Sequence, residues 1–221
     1  MCGRTATYVS PETLRKRYNP ESSNLANYNP SYNEPPGTDK PFVSKNSPTR
    51  IETAHWGYIP EEADDIKEWK SKSIINARAE TLKEKSLFKE SWLQKRCLIP
   101  VNGFYEWKDN QPFYFTPENQ QVISLAGIFT EYKDGKYSLA IITRPARQFI
   151  EEIHDRQPVI LSQEEEEKYL EGRIPLGRIQ GKEDRGTDFL KMKKHPVTKK
   201  MSNPEFDQEK AKKEISTLGN F

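Results

Sequence analysis

The sequence predicts an α+β fold, one domain in which a central antiparallel sheet carries short helices on its surface, and three observations predict it. β-rich runs crowd the middle of the chain: Cys97-Leu98-Ile99-Pro100-Val101, Phe113-Tyr114-Phe115, and residues 122–129. Lys133-Asp134-Gly135-Lys136 is a hairpin turn signal ahead of a further run at 137–142. Helical signals are short and separated, and 221 residues fit a single domain at roughly 100–200 residues each. A chain of this size hides roughly 70 % of its unfolded surface, so it needs no disulfides to form a core.

Taken in order, Ser10-Pro11-Glu12 places an N-cap ahead of a proline at the first helical position, and Leu14 and Tyr18 lie four apart, which predicts a helix over 11–18. Residues 19–50, rich in Asn, Pro and Ser, read as an ordered loop with little regular structure. Residues 51–58 form a strand ending at Pro60, residues 61–72 are charged and exposed, and Ile74-Ile75 opens another apolar stretch. Leu82, Leu87 and Trp92 recur at near-helical spacing, giving a helix over 80–94. Residues 147–153 read as a short helix and 158–161 as a buried strand. Ser162-Gln163-Glu164-Glu165 is a capping box, so the acidic run that follows is a helix N-terminus. Beyond about residue 204 the tail of mixed Lys and Glu shows no clear element.

Hydrophobic residues make up only 33 %, which assigns much of the chain to surface and loop, but ten Phe, ten Tyr and four Trp spread along it stand against disorder. Lys and Arg number 35 against 33 Asp and Glu, a net charge of +2, so any basic site is local. Two cysteines, Cys2 and Cys97, are too few for a disulfide framework or a Cys-rich zinc site. The opening Met-Cys-Gly-Arg-Thr lacks the regions of a secretory signal, and no apolar run reaches about 18 residues, which predicts a cytoplasmic protein.

Four segments could carry chemistry. Cys2 follows the initiator methionine, whose removal leaves a 1,2-aminothiol. The amine titrates near 7.7–8.0 and the thiol near 8.5, so both nucleophiles are accessible around neutrality, and an aldehyde meeting them closes to a thiazolidine. The bland alternative is an accidental cysteine on a frayed terminus. Cys97 reads as packing. In Asn76-Ala77-Arg78-Ala79-Glu80-Thr81, Asn76 can orient a nucleophile and Arg78 can clamp a phosphate, or the segment is merely a helix entry. Glu106 lies among aromatics in Gly103-Phe104-Tyr105-Glu106-Trp107, where burial would bring its carboxyl toward neutrality, or it faces solvent from an alternating strand. His154, in His154-Asp155-Arg156-Gln157-Pro158, could shuttle a proton and Arg156 bind phosphate; the alternative is a capping histidine and a surface arginine. His55 and His195 read as structural, and three scattered histidines predict no metal site.

Together, Met1-Cys2-Gly3-Arg4, Trp56-Gly57-Tyr58-Ile59-Pro60, residues 76–81, Arg96 to Pro100 with Gly103 to Trp107, and residues 154–161 resemble the SRAP family. These are the SOS-response-associated peptidase domains, or abasic-site processing proteins. The motifs keep the family's order from residue 2 to about His195-Pro196-Val197. The resemblance implies a single α+β domain over 1–221 with a barrel-like, mainly antiparallel sheet surrounded by short helices. It implies a protein that senses abasic sites in single-stranded DNA and captures them as a protective thiazolidine crosslink at Cys2. Asn76 would hold the amine, Glu106 would relay protons, and His154 would help open the sugar. Arg4, Arg78 and Arg156 would contact flanking phosphates. It also implies peptidase-like self-removal of Met1 and lyase-type chemistry, no cofactor, metal, membrane or obligate protein partner, and a location on the nucleoid when DNA is bound.

Two departures stand out. Pro60 is followed by Glu61-Glu62-Ala63-Asp64-Asp65 where the family carries aromatic or apolar side chains against DNA bases, with Trp69 as a substitute. The loop Asn27-Tyr28-Asn29-Pro30-Ser31-Tyr32 resembles the family's Tyr-Asn-x-x-Pro loop with Tyr32 in the proline's place. Two rivals from other classes are a cysteine peptidase or N-terminal-nucleophile amidohydrolase acting in trans, and a non-covalent single-stranded DNA binding module in which Cys2 is incidental.

Overall fold

The computed structural model describes residues 2–45, 49–119, 121–182 and 191–215. Five strands close a barrel: Asp39–Lys45 pairs with Thr49–Trp56, which pairs with Lys136–Pro145, then Ile123–Tyr132, then Arg96–Val101, and back to Asp39–Lys45. Every contact is antiparallel except the closing one, where Ser138 and Leu139 lie parallel to His55 and Trp56. Closure removes the open edges that a flat sheet of this length would expose. Period-two alternation along Lys136–Pro145 sorts the two faces. Leu139 and Ile141 join Phe42, Trp56, Cys97 and Ile99 in one cluster, while Ala140 and Ile142 face outward beneath Leu82, Phe88, Trp92 and Tyr169.

A second antiparallel sheet lies against the barrel in the order Met192–Pro196, Gln111–Pro117, Gly103–Lys108, Thr5–Thr7, Ser31–Glu34. Phe104 and Phe115 point toward the barrel cluster and stack at 5.0 Å; Ala6, Tyr105 and Tyr114 face the other way, covered by Val197, Met201 and Ala211. The two central strands turn at Asp109 and Asn110, whose φ values of 49° and 63° are the pair that a tight two-residue hairpin needs.

Most predicted elements are present. The helix Pro11–Tyr18 starts at Ser10, whose hydroxyl accepts from the Thr13 N–H, and ends at left-handed Asn19. The capping box opens the helix Gln163–Leu170, with the Glu165 carboxylate accepting from the Ser162 N–H. The hairpin turn sits at Lys133–Gly135, the 51–58 strand runs Thr49–Trp56, and the buried strand divides into Arg156–Pro158 and Ile160–Leu161.

Three expectations are corrected. Residues 19–50 contain the strands Ser22–Ser23, Ser31–Glu34 and Asp39–Lys45, because pairing with distant strands overrides a turn-rich composition; Pro41 lies outside the Val43–Ser44 stretch paired to Arg96–Val101. The 80–94 helix is a 3₁₀ turn at Ala79–Thr81 and a helix at Ser86–Gln94. A continuous helix would set Leu82 and Trp92 about 80° apart, and the break lets both enter one cluster. The 147–153 helix is a single 3₁₀ turn, Gln148–Ile150, with Gln148 at a φ of 53°. The charged segment 61–72 also contains a short exposed helix, Ile66–Ser71, capped by Asp65.

Gly103 sits at a close approach within the second sheet. A Cβ there would lie 2.4 Å from the Phe115 carbonyl oxygen and 2.5 Å from the Tyr114 ring, and backbone cannot yield as a flexible side chain would. Gly103→Ala is expected to cost about 1–3 kcal/mol of stability, measured as a lowered midpoint in denaturant unfolding.

Candidate active site

The site forms where the second sheet meets the end of the barrel. The backbone of Arg4 accepts from the Tyr105 N–H at 2.9 Å, and Thr5 lies opposite Phe104, so the chain ahead of Thr5 runs beside Gly103–Lys108, where the Glu106 carboxylate acts on the Cys2 thiol. From the barrel side, Asn76–Arg78 adds in parallel to one edge of Lys136–Pro145, and Asn76 Nδ2 donates to the Cys2 carbonyl at 3.0 Å. On the other edge Arg156–Pro158 pairs antiparallel, and the turn before it carries His154, whose Nε2 stands 3.9 Å from Glu106 Oε2. Cys2, Asn76, Glu106 and His154 therefore converge, drawn from four separate stretches of chain. Met1 lies outside the described residues.

Burial governs the electrostatics of the site. Cys2 is fully buried, and desolvation, with Glu106 adding to it, pushes its thiol far above the ordinary range. Desolvation also raises the Glu106 carboxyl from 4.5 to about 8 and lowers the His154 imidazole below 6.5. At neutral pH the pair is thus a carboxylic acid beside a neutral ring. His154 Nδ1 faces two groups with opposite demands: it accepts from the Arg156 N–H at 2.9 Å, and the exposed Asp155 carboxylate lies 2.9 Å away, where it favours a protonated nitrogen. Asn76 Oδ1 is buried with no hydrogen-bond partner among the described residues. It is a buried acceptor, on the side chain bonded to Cys2, with its capacity unspent.

The three arginines differ. Arg78 is exposed and makes no hydrogen bond or ion pair with the described residues, which leaves its guanidinium available at the rim. Arg156 is held by Glu80, with Nη2 to Oε2 at 3.0 Å, and donates to the Thr143 carbonyl at 2.8 Å. Arg4 donates to Asn33 Oδ1 at 2.8 Å and to the Ser202 carbonyl at 3.4 Å, while Asn33 Nδ2 donates to the carbonyls of Met201, Asn203 and Phe206.

Asn33 lies in a second Tyr-Asn-x-x-Pro, Tyr32-Asn33-Glu34-Pro35-Pro36, this one with its proline in place and beginning on the strand paired with Thr5–Thr7. Sequence reasoning missed Glu34, Lys40, Asn33 and Glu80 as parts of this region, although the second Tyr-Asn pair offered a signal for Asn33. Trp69 lies outside the site, in an acidic groove lined by Pro60, Glu61, Glu62 and Glu90, with Lys72 Nζ 3.8 Å from its ring. His195 Nε2 lies 2.8 Å from the Lys212 carbonyl, and Cys97 packs inside the barrel. Among the described residues no cluster of three His, Cys, Asp or Glu could hold a metal, and no helix is long and apolar enough to cross a membrane.

The family model of the SOS response associated peptidase (SRAP) matches residues 1–204. The chain belongs to the SRAP family. Among its relatives, the abasic site processing protein YoqW of Bacillus subtilis is 34 % identical over 185 residues, covering 77 % of this chain and 80 % of that one. The abasic site processing protein HMCES of Xenopus tropicalis is 30 % identical, covering 79 % and 68 %. A crystal structure of a protein from Bacteroides thetaiotaomicron superposes with a TM-score of 0.83 over 97 % of this chain and 100 % of that one, at 22 % identity, and shares the fold.

The raised Glu106 carboxyl has a consequence for stability in this SRAP protein. Unfolded, the group ionises near 4.5, and folded, near 8, so the native state holds an extra proton between those values. Stability attributable to it is present below about pH 4.5 and is lost as pH rises through that window. Glu106→Gln is expected to gain on the wild type over the same range, by on the order of 4 kcal/mol at full ionisation. Denaturant melts near pH 4 and pH 8 check it; a gap that narrows at the higher pH would mean Glu106 is held ionised.

Proposed function

We propose that the protein captures abasic sites in single-stranded DNA covalently, through a thiazolidine on Cys2. The observation that carries this reading is the convergence of Asn76, Glu106 and His154 on Cys2, with Asn76 bonded to its carbonyl at 3.0 Å. Removal of Met1, by the protein itself or by an aminopeptidase, gives Cys2 a free α-amine. The amine adds to the C1′ aldehyde of the ring-opened sugar, and the carbinolamine loses water to an imine. The sulfur then adds to the imine carbon, the π pair moves to nitrogen, and the thiol proton balances it. No atom is lost beyond one water.

Each neighbour has a role suited to its environment. The Asn76 side chain holds the amine and the adduct, with its unpartnered Oδ1 as the acceptor. A carboxyl titrating near 8 both donates and accepts protons around neutrality, so Glu106 serves the carbinolamine hydroxyl as it leaves and the nitrogen as it forms. His154, neutral at that pH, assists the opening of the sugar once it is protonated. Capture of C1′ removes the aldehyde that drives strand cleavage by β-elimination, so the adduct protects the DNA. Arg78 supplies the freest phosphate contact, and Arg4 and Arg156 serve the groove by holding its walls.

The direct test is the intact mass of the protein before and after incubation with an abasic single-stranded oligonucleotide, with Cys2→Ala alongside. The expected product lacks Met1 and equals protein plus DNA less one water, and Cys2→Ala gives none. A processed Cys2 without adduct overturns capture; turnover of an amide in trans would then mark an amidohydrolase, and unchanged DNA affinity in Cys2→Ala a binding module. Arg78→Ala is expected to weaken binding and reduce the slope of log K against log salt by about 0.7, one single-strand phosphate contact. An unchanged slope would remove that contact.

A further inference from the structure

At His154 one nitrogen has two partners that cannot be served together. The Arg156 N–H and the Asp155 carboxylate each stand 2.9 Å from Nδ1. A backbone N–H can only donate, so bonding to it leaves Nδ1 with its lone pair and puts the proton of the neutral ring on Nε2. A carboxylate can only accept, so it gains a bond to the ring only when Nδ1 carries a proton. Nε2 is the nitrogen that faces the buried Glu106 carboxyl, at 3.9 Å.

Phosphate recognition gives no reason for a carboxylate here. Asp155 is exposed, precedes Arg156 in the chain, and would repel the backbone of a DNA strand. The groups around the ring show what it opposes. Desolvation disfavours the imidazolium, the chain's amino terminus and the Arg156 guanidinium add to that, and Asp155 acts against them. Glu80 spends its charge on Arg156, and Glu106 is uncharged at neutral pH, so the carboxylate in contact with the ring is that of Asp155.

We propose that Asp155 is a positioning residue for His154: when the ring takes a second proton, Asp155 replaces the Arg156 N–H as the partner of Nδ1 and leaves Nε2–H directed at the sugar. This rests on the capture reading. The exchange needs no turn of the ring, because both partners already stand at bonding distance from one atom. In the step it serves, Nε2–H passes its proton to the ring oxygen of the closed sugar, the bond from C1′ to that oxygen breaks, and the C1′ hydroxyl loses its proton to water as the aldehyde forms. The same water returns its proton to Nε2, so the histidine ends as it began. Asp155 neither gains nor loses a proton. Its effect on the imidazolium is modest and open to screening by salt, because it is exposed.

The test is an NMR titration of the imidazoles in the full-length protein, which has three histidines, with His154→Gln to assign the resonance. In wild type the neutral His154 ring is expected to carry its proton on Nε2. Asp155→Asn is expected to lower the His154 midpoint by about half a pH unit in low salt and by much less in about 1 M salt, and Asp155→Glu to restore it. The same comparison in a Glu106→Gln background removes the coupled titration of that carboxyl. Adduct formation is then followed, at saturating concentrations, with abasic single-stranded DNA and with an acyclic aldehyde that has no ring to open. The ratio of the first rate to the second near neutrality is expected to fall about threefold in Asp155→Asn. A proton on Nδ1 of the neutral wild-type ring, or an unmoved midpoint in Asp155→Asn, overturns the exchange. A moved midpoint with an unchanged ratio overturns its role in opening the sugar. A moved midpoint in a processed protein that forms no DNA adduct overturns capture and leaves the exchange standing.

Discussion

The strand Lys136–Pro145 is paired along both edges, and the site depends on that double pairing. One edge takes Trp56 and then Asn76, in parallel; the other takes Ile123–Tyr132 and then Arg156–Pro158, antiparallel. The strand that closes the barrel is therefore also the strand that sets the distance between the asparagine holding the Cys2 carbonyl and the turn bearing His154. Backbone hydrogen bonds hold this spacing more rigidly than loops can, which suits chemistry sensitive to small displacements. The second sheet completes the site by bringing in Cys2, just ahead of Thr5–Thr7, and Glu106, on the adjacent Gly103–Lys108, both strands paired on both sides.

Within that frame the exclusion of water sets the protonation state. The thiol, the carboxyl and the imidazole are each displaced toward the uncharged form by the same cause, desolvation. All three groups are therefore uncharged at neutral pH. Positive charge near the site sits outside this buried zone on Arg78, or is already balanced, as on Arg156 by Glu80. With a net charge of only +2, such local placement rather than the whole molecule sets the field there.

Much of the fold and the site was legible in the sequence, and the failures share a cause. Local signals were sound where the physics is local: the Ser10 cap, the Ser162 capping box and the 133–136 turn. They failed where a segment answers to distant partners. The strands within 19–50 follow from pairing with the N-terminal strand and with the barrel, which no window of that segment contains, and the 80–94 periodicity hid a break that only the shared core explains. Cys2, Asn76, Glu106 and His154 were found because each sits in a segment of unusual composition. Glu34 and Lys40 were missed because a Glu and a Lys six apart in a Pro-rich stretch look like surface, and only the closed barrel shows them to be interior. The three arginines looked alike in sequence because nothing local distinguishes a guanidinium facing solvent from one already bonded to Glu80 or Asn33.

The clamp of Arg4 and Asn33 on the segment around Met201 joins positions that stand 197 residues apart in the chain. During synthesis Arg4 and Asn33 therefore leave the ribosome long before the segment whose carbonyls accept their hydrogen bonds. Until that segment docks, the first strand lacks this backing at Arg4, so the wall of the site beside Arg4 is completed only once the chain near residue 201 is in place.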